Sequence, residues 1–479
     1  MFPSNKTKIV CTIGPASASP EVLVQMIRAG MNVARLNFSH SAFTSHAQDI
    51  QMIREAAKTA GYPVAIMADL PGPKIRIGEL AEDSIFLKVG QPLTLTTETV
   101  SGTDQRISVN FERLPTVVKE GDRIYINDGF IQLRVLSVAA PEVQCEVVVG
   151  GPIRSRKGLN IPDVDLGISA FTDHDRDCMA FALEHGVDAV SQSFVENAAD
   201  VRVVREAARA MGYDPFIIAK IERSRAVENL AGILDVTDGI MVARGDLGVE
   251  IPIAKIPSIQ KKIMKMAGRL GKPVITATQM LESMTTNWLP TRAEATDVAN
   301  AILDGTDCVM LSGESAVGSY PVEAVSMLRD IATDIEPNRS LYAAPRDMTQ
   351  FGEDSPLSEI IAANVAETIR RINASVVVTP TRSGTTARRI SRFRPPIWIA
   401  AVTAQHKTCQ ELLFSYGVLP VFEADHPEDW RPWIRKWLVD QRESADIVIL
   451  TEGPSKKYPH RNNRMEVINL NEADPADGI

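Results

Sequence analysis

Short apolar runs recur at regular intervals through the first two-thirds of the chain. They occupy residues 8–14, 32–39, 64–70, 189–194, 216–222, 239–246, 273–280 and 307–313, and each reads as a buried strand. Amphipathic stretches lie between most of them. In residues 256–270, for example, Ile256, Ile259, Ile263, Met266, Ala267 and Leu270 fall at helical spacing. Eight strands alternating with helices predict parallel βα units closed on themselves, a (β/α)8 barrel of the TIM type within the α/β class.

One connection breaks the rhythm. Residues 73–162 carry alternating β-type runs at 84–89, 91–97, 123–126, 131–137 and 143–149, separated by turn signals such as Gly90, Gly121-Asp122 and Asp128-Gly129. This predicts an all-β lid domain inserted between residues 1–72 and 163–340 of the barrel, on the face where barrel active sites lie. Residues 340–355 read as loop. Beyond them, helices at 356–372, 385–393 and 405–415 alternate with strands at 375–379, 397–402, 418–422, 446–451 and 465–470. That pattern predicts a separate open α/β domain over residues 341–479.

Composition narrows the function. Hydrophobic residues at 44% and charged residues at 23% allow a large ordinary core, and a net charge of −9 argues against a nucleic-acid partner. No apolar run approaches the roughly 18–20 residues that span a bilayer, and residues 1–8 lack an apolar leader, so no membrane partner is expected. Five scattered cysteines without a CxxC pair suggest reduced thiols and a cytoplasmic protein.

The candidate chemistry lies at the strand ends. They read Arg35-Leu36-Asn37-Phe38-Ser39-His40, Asp69, Lys220-Ile221-Glu222, Arg244-Gly245-Asp246, Thr276-Ala277-Thr278-Gln279 and Ser312-Gly313-Glu314. One polar strand end is ordinarily a loop start or a helix cap. Six that converge on one pocket would be costly unless they surround a charged ligand. Glu222 and Asp246 are hard oxygen donors suited to Mg²⁺ or Mn²⁺, and no zinc-type His/Cys cluster is present. Arg35, Arg76 and Lys220 add fixed positive charge, which suits a phosphoryl group in transfer. No GxxxxGK[ST] loop occurs, so the nucleotide would not be held by a P-loop.

These residues resemble the pyruvate kinase family over essentially the whole chain. The matching motifs include Cys11-Thr12-Ile13-Gly14-Pro15, Gly72-Pro73-Lys74-Ile75-Arg76, Ala219-Lys220-Ile221-Glu222, Ala243-Arg244-Gly245-Asp246 and Ala277-Thr278-Gln279-Met280. The resemblance implies phosphoryl transfer from phosphoenolpyruvate to ADP, giving pyruvate and ATP, usually in a homotetramer. It implies Glu222 and Asp246 as Mg²⁺ (or Mn²⁺) ligands and Lys220, Arg35 and Arg76 as catalytic cations. Thr278 would serve in protonating the enolate, through water and Ser312. Gly245 joins Lys220, Asp246 and Thr278 at the substrate, and His40, Asp128 and Lys157 join Arg35 and Arg76 at the nucleotide.

Many members of that family also need K⁺, held by the equivalents of Asn37, Ser39 and Asp69. Here Leu70, Lys74 and Ile77 resemble the K⁺-independent branch, in which the Lys74 ammonium would supply the missing charge. Two smaller departures are Ser41, where the family usually has Gly, and Arg225, whose reading is a solvated helix position. In the C-terminal domain, Thr381-Arg382-Ser383-Gly384-Thr385-Thr386 resembles the family's effector-phosphate loop, completed by basic residues Lys456, Lys457, His460, Arg461 and Arg464. A phosphorylated allosteric activator is therefore expected. The alternatives are another barrel enzyme acting on phosphoenolpyruvate or pyruvate, and a non-catalytic phosphometabolite sensor of the same fold.

Overall fold

The structure, a computed structural model, describes residues 2–339, 356–453 and 463–472. Three strands open the chain: β1 (Lys8–Thr12), β2 (Met31–Asn37) and β3 (Ala65–Leu70). Eight short strands follow: β4 (Ile85–Leu87), β5 (Pro92–Thr96), β6 (Arg106–Ser108), β7 (Arg123–Ile126), β8 (Ile131–Ala139), β9 (Glu142–Val149), β10 (Gly151–Ile153) and β11 (Leu159–Asn160). The first series then resumes with β12 (Ala189–Gln192), β13 (Phe216–Ile221), β14 (Gly239–Ala243), β15 (Val274–Ala277) and β16 (Cys308–Leu311). Strands β1–β3 and β12–β16 close into an eight-stranded parallel barrel in the order β1-β16-β15-β14-β13-β12-β3-β2. All eight strands read from the apolar runs are present.

Alternation sorts the barrel side chains. Val10, Val33, Ala65, Met67, Phe216, Ile218, Met241 and Ile275 form one inner cluster, while Ile9, Cys11, Ala34, Leu36, Ile66, Ala68 and Ile217 face the surrounding helices. Successive residues of a strand point to opposite faces. Val33 is therefore followed on the inner face by Arg35 and Asn37, Met67 by Asp69, and Ile218 by Lys220. The polar residues are the top layer of the same face that fills the barrel lower down. Leu413 and Phe414 of the C-terminal region join this inner cluster from below, with Phe414 stacked on Phe216 at 5.4 Å.

The inserted segment has its own core, running from Ile75 to Leu166, around a six-stranded sheet ordered β11-β7-β8-β9-β5-β6 and a β10-β4 pair. The C-terminal strands β17 (Val376–Pro380), β18 (Trp398–Thr403), β19 (Val418–Phe422), β20 (Ile447–Glu452) and β21 (Arg464–Asn469) form one open sheet, parallel except for β21. Strands β6, β10 and β11, two or three residues each, are too short for alternation to reveal. The helix Trp430–Asp440 is also absent from the sequence reading. Pro432 obscures it, yet Pro is tolerated in a first turn, and Trp430, Ile434, Trp437 and Leu438 form its buried stripe. Among the described residues no helix is long and apolar enough to cross a membrane.

Candidate active site

Above the inner apolar layer lies a cleft of ≈ 330 Å³ between barrel and insert, lined by Arg35, Asn37, Ser39, Lys74, Arg76, Asp128, Lys157, Ser193, Lys220, Glu222 and Asp246, among others. Lys220 is its centre. Its ammonium lies 3.2 Å from Asp69 Oδ1 and 2.9 Å from Glu222 Oε1, and it donates to Ser193 Oγ at 2.7 Å. Burial alone would lower its pKa, but the two carboxylates more than offset this and hold it above the usual lysine value. Asp69 also accepts from Arg35 Nε at 2.6 Å and from Ser191 Oγ at 2.9 Å. Against the upward push of burial, Lys220 and Arg35 bring Asp69 down to about 2. Arg35 is further fixed by a donation to Thr12 Oγ1 at 2.8 Å.

The carboxylate pair spans neighbouring strands. Glu222 follows β13, and its Oε2 accepts the Phe194 N–H at 2.8 Å. Asp246 lies in the first turn of the helix Arg244–Glu250 that follows β14. Desolvation within the cleft, with Glu222 alongside, pushes Asp246 up to about 6 although the residue stays exposed. Buried Glu222 and exposed Asp246 make a two-carboxylate donor set that fits a divalent cation. Among the described residues no group of three or more metal-binding side chains occurs. An ion held here would complete its shell with water and substrate oxygens, as Mg²⁺ characteristically does.

Thr278 is strained into place. It has φ +68°, rare for a β-branched residue, and Gln279 after it has φ +55°. Arg244 holds this turn by donating to Thr278 O at 2.6 Å, Ala277 O at 3.2 Å and Asp297 Oδ2 at 2.5 Å. Thr278 Oγ1 accepts the Gly245 N–H at 2.8 Å. Among the described residues no hydrogen bond joins Thr278 to Ser312. The ends of β15 and β16 are linked instead by buried Glu314, which accepts from Leu281 N at 3.1 Å and Ser312 N at 2.7 Å.

On the opposite rim, Lys74 donates to Ser39 Oγ at 2.6 Å, and Asn37 Oδ1 accepts the Ser39 N–H at 3.1 Å. Burial, then the nearby Lys220 and Arg76, lowers the Lys74 pKa. His40 is exposed, yet partial desolvation, followed by Lys74, Arg76 and Arg35, lowers its pKa as well. Arg76 donates to Arg156 O at 2.9 Å within the insert. Asp128 is exposed in a tight turn, with Asn127 at φ +55° and Asp128 at φ +56°. Arg225 turns away from the cleft toward Asp165 (2.9 Å) and Glu196 (3.2 Å). In the C-terminal region, Thr381 Oγ1 accepts the Gly384 N–H at 3.0 Å and Ser383 Oγ meets Thr385 Oγ1 at 2.9 Å, while Arg382 and Thr385 stand exposed. Of the basic residues read as completing that loop, Lys456, Lys457, His460 and Arg461 lie outside the described residues. Arg464 pairs with Glu452.

Thr12 and Arg244 stand in the motifs quoted above without a role of their own, and Ser191, Ser193 and Phe194 were not read as site residues. The signal for the last three was present: strand four ends Ser191-Gln192-Ser193-Phe194, as polar as the six ends that were read. Phe194 has φ +60°, an αL conformation uncommon for a bulky residue, and that turn aims its N–H at Glu222.

A barrel whose inner strand ends set a buried lysine and a neighbouring arginine among carboxylates has the charge arrangement that suits a phosphoryl group in transfer. Comparison with known proteins specifies it. The family model for the pyruvate kinase barrel domain matches residues 4–325, and that for the pyruvate kinase alpha/beta domain matches residues 359–468. A pyruvate kinase of Thermococcus litoralis is 47% identical over 456 residues, 94% of this chain and 96% of its own. Pyruvate kinase 2 of Synechocystis is 44% identical over 94% of this chain and 76% of its own. A crystal structure of a pyruvate kinase from Cryptosporidium parvum superposes with a TM-score of 0.89 at 37% identity, covering 98% of this chain and 96% of that one. The chain belongs to the pyruvate kinase family.

Proposed function

We propose that this enzyme transfers the phosphoryl group of phosphoenolpyruvate to ADP in the cytoplasm, and that the cleft residues divide the work as follows. The observation that carries the reading is Lys220, held charged between Asp69 and Glu222 in a cleft that also presents Arg35, Arg76, Glu222 and Asp246. A phosphoryl group in transfer spreads negative charge over its oxygens, and fixed cations already in place stabilise it without reorganisation. Lys220 and Arg35, locked by Asp69, supply that charge from the barrel, and Arg76 supplies it from the insert.

Glu222 and Asp246 would hold Mg²⁺, which neutralises phosphate and enolate oxygens when bound. Loss of the phosphoryl group leaves an enolate, whose charge Lys220 balances until a proton arrives. Thr278, pinned by Gly245 and Arg244, positions the water that delivers it. The insert brings Asp128 and Lys157 over the nucleotide and excludes water. Lys74 on Ser39 Oγ occupies the place of a monovalent cation, so K⁺ is not required. The hydroxyls of Thr381, Ser383, Thr385 and Thr386, with Gly384 at the turn, would receive a phosphorylated activator, and the family resemblance points to a homotetramer.

The test is pyruvate formation in a lactate dehydrogenase-coupled assay with phosphoenolpyruvate, ADP and Mg²⁺. Turnover that vanishes on chelating Mg²⁺ is expected. Absence of turnover with full substrates would favour a sensor of the same fold, and turnover without ADP would favour another barrel chemistry.

A further inference from the structure

The insert leaves the barrel and returns to it through two separate connections, and a single side chain holds the barrel end of both. Asp175 is fully buried near the start of the helix Asp173–Glu184. Its Oδ1 accepts the Gly72 N–H at 2.9 Å, at the foot of the outgoing connection. Its Oδ2 accepts Thr172 N at 2.8 Å and Thr172 Oγ1 at 2.7 Å, at the foot of the returning one.

Half of this arrangement is an ordinary capping box, in which Thr172 and Asp175 satisfy each other's backbone N–H. The described residues hold two more, and they show what a cap alone requires. Asp200 accepts only from Glu196 and Asn197 on its own turn. Glu294 accepts from Thr291 and from Ser283, 11 residues away. Asp175 reaches across 103 residues to Gly72. Capping does not need that second bond, because the helix is already served by the other oxygen.

Gly72 could hardly be seated more tightly. It has φ +66°, and a Cβ on it would lie 2.8 Å from Phe194 Cδ2. Phe194 is the residue whose N–H holds Glu222. On the return side, Ala170 O accepts from Gln192 Nε2 at 2.6 Å, and Phe171 packs in the barrel core. The insert's own core begins at Ile75 and ends at Leu166, with Ile168 packed against it. The only stretches belonging to neither body are Pro73-Lys74 on one side and Ser169 on the other.

We propose that Asp175 is the fixed pivot of the inserted domain, a positioning residue that confines its closure to one arc. This rests on the proposed reading that the insert closes over the nucleotide. With Gly72 and Thr172 pinned by one carboxylate, the insert swings about the line joining them, and Arg76, Asp128 and Lys157 arrive in a single register. Lys74 lies inside the joint, so its contact with Ser39 is made or strained by the same swing.

The experiment compares Asp175→Asn, Thr172→Val and Thr172→Ser with the parent enzyme. Asn keeps the shape but can accept with only one oxygen, so one foot is released. Hydrogen exchange followed by mass spectrometry on the ligand-free protein should speed up about tenfold in peptides covering 71–77 and 161–172, with peptides over 31–37 and 216–221 unchanged. In the coupled assay the KM for ADP should rise about tenfold while that for phosphoenolpyruvate stays within about threefold. Thr172→Val should move the same way and Thr172→Ser, which keeps the hydroxyl, should behave as the parent. Faster exchange confined to 173–184, or lowered thermal stability with both KM values unchanged, would reduce Asp175 to a helix cap and overturn the proposal. If Asp175→Asn does not fold, Thr172→Val carries the same test. The exchange readout stands even if phosphoenolpyruvate and ADP prove not to be substrates, so the two readings fail separately.

Discussion

Lys74→Ala removes the one cation whose presence is most costly to the cleft. The Lys74 ammonium sits 2.6 Å from Ser39 Oγ, and burial together with Lys220 and Arg76 works against its charge. A cation held against such opposition points to a role in charge balance for a ligand. One unit charge acting over about 7 Å at an effective dielectric of about 20 is worth about 2.4 kcal/mol. In K⁺-free buffer the substitution should therefore lower kcat/KM about 50-fold. The space it vacates is bordered by Asn37, Ser39 and Asp69, all oxygen donors, so K⁺ at roughly 0.1 M should restore most of the loss. The parent enzyme should change less than about twofold under the same titration. The assay is the coupled reaction in tetramethylammonium chloride at constant ionic strength with K⁺ exchanged in. Strong K⁺ activation of the parent, or a crippled variant indifferent to K⁺, would show that Lys74 does not stand in for a monovalent cation.

Further expectations concern stability and regulation. Ser41 is an exposed non-glycine residue at φ +68°, so Ser41→Gly should stabilise the barrel by about 0.5–1 kcal/mol and Ser41→Val should destabilise it, read as shifts in the urea midpoint. Lys8 is fully buried beneath the C-terminal sheet, donating to Val418 O at 2.8 Å, and burial lowers its pKa to about 8. In the unfolded chain it keeps its ordinary value of 10.5, so between pH 8 and 10.5 the unfolded state binds more protons and parent stability rises with pH. The penalty below pH 8 is about 3 kcal/mol, and Lys8→Met, which orphans one carbonyl, should gain about 1–2 kcal/mol at pH 7. That gain should fade by pH 10, whereas a pH-independent difference would contradict the assignment. Replacing Ser383 and Thr385 with alanine should abolish activation by sugar or nucleoside phosphates while sparing basal turnover, and retained activation would exclude that loop.

The barrel was legible because its strands are largely buried runs, and in most of them the inner face ends in a polar side chain. Val33 to Arg35 and Ile218 to Lys220 show the rule in sequence, since period two carries the core face directly into the site. What alternation cannot show is support from elsewhere in the chain. Ser193 under Lys220, Phe194 N–H on Glu222 and Arg244 on the Thr278 carbonyl involve loop backbone in αL conformations or groups far apart in sequence. The tie from Asp175 to Gly72 was hidden for the same reason, because a capping box already accounts for the aspartate locally. The helix Trp430–Asp440 was concealed by a proline whose position within the first turn only the structure reveals.

In the proposed reaction Lys220 is the central cation of the transfer step. Lys220→Met keeps the aliphatic stem and removes the ammonium from between Asp69 and Glu222. The decisive measurement is kcat at saturating phosphoenolpyruvate, ADP and Mg²⁺, with the fold checked by circular dichroism. A folded variant with kcat reduced about 10³-fold or more and a KM for phosphoenolpyruvate changed by less than about tenfold is predicted. A folded variant retaining more than about a tenth of the parent kcat would contradict it.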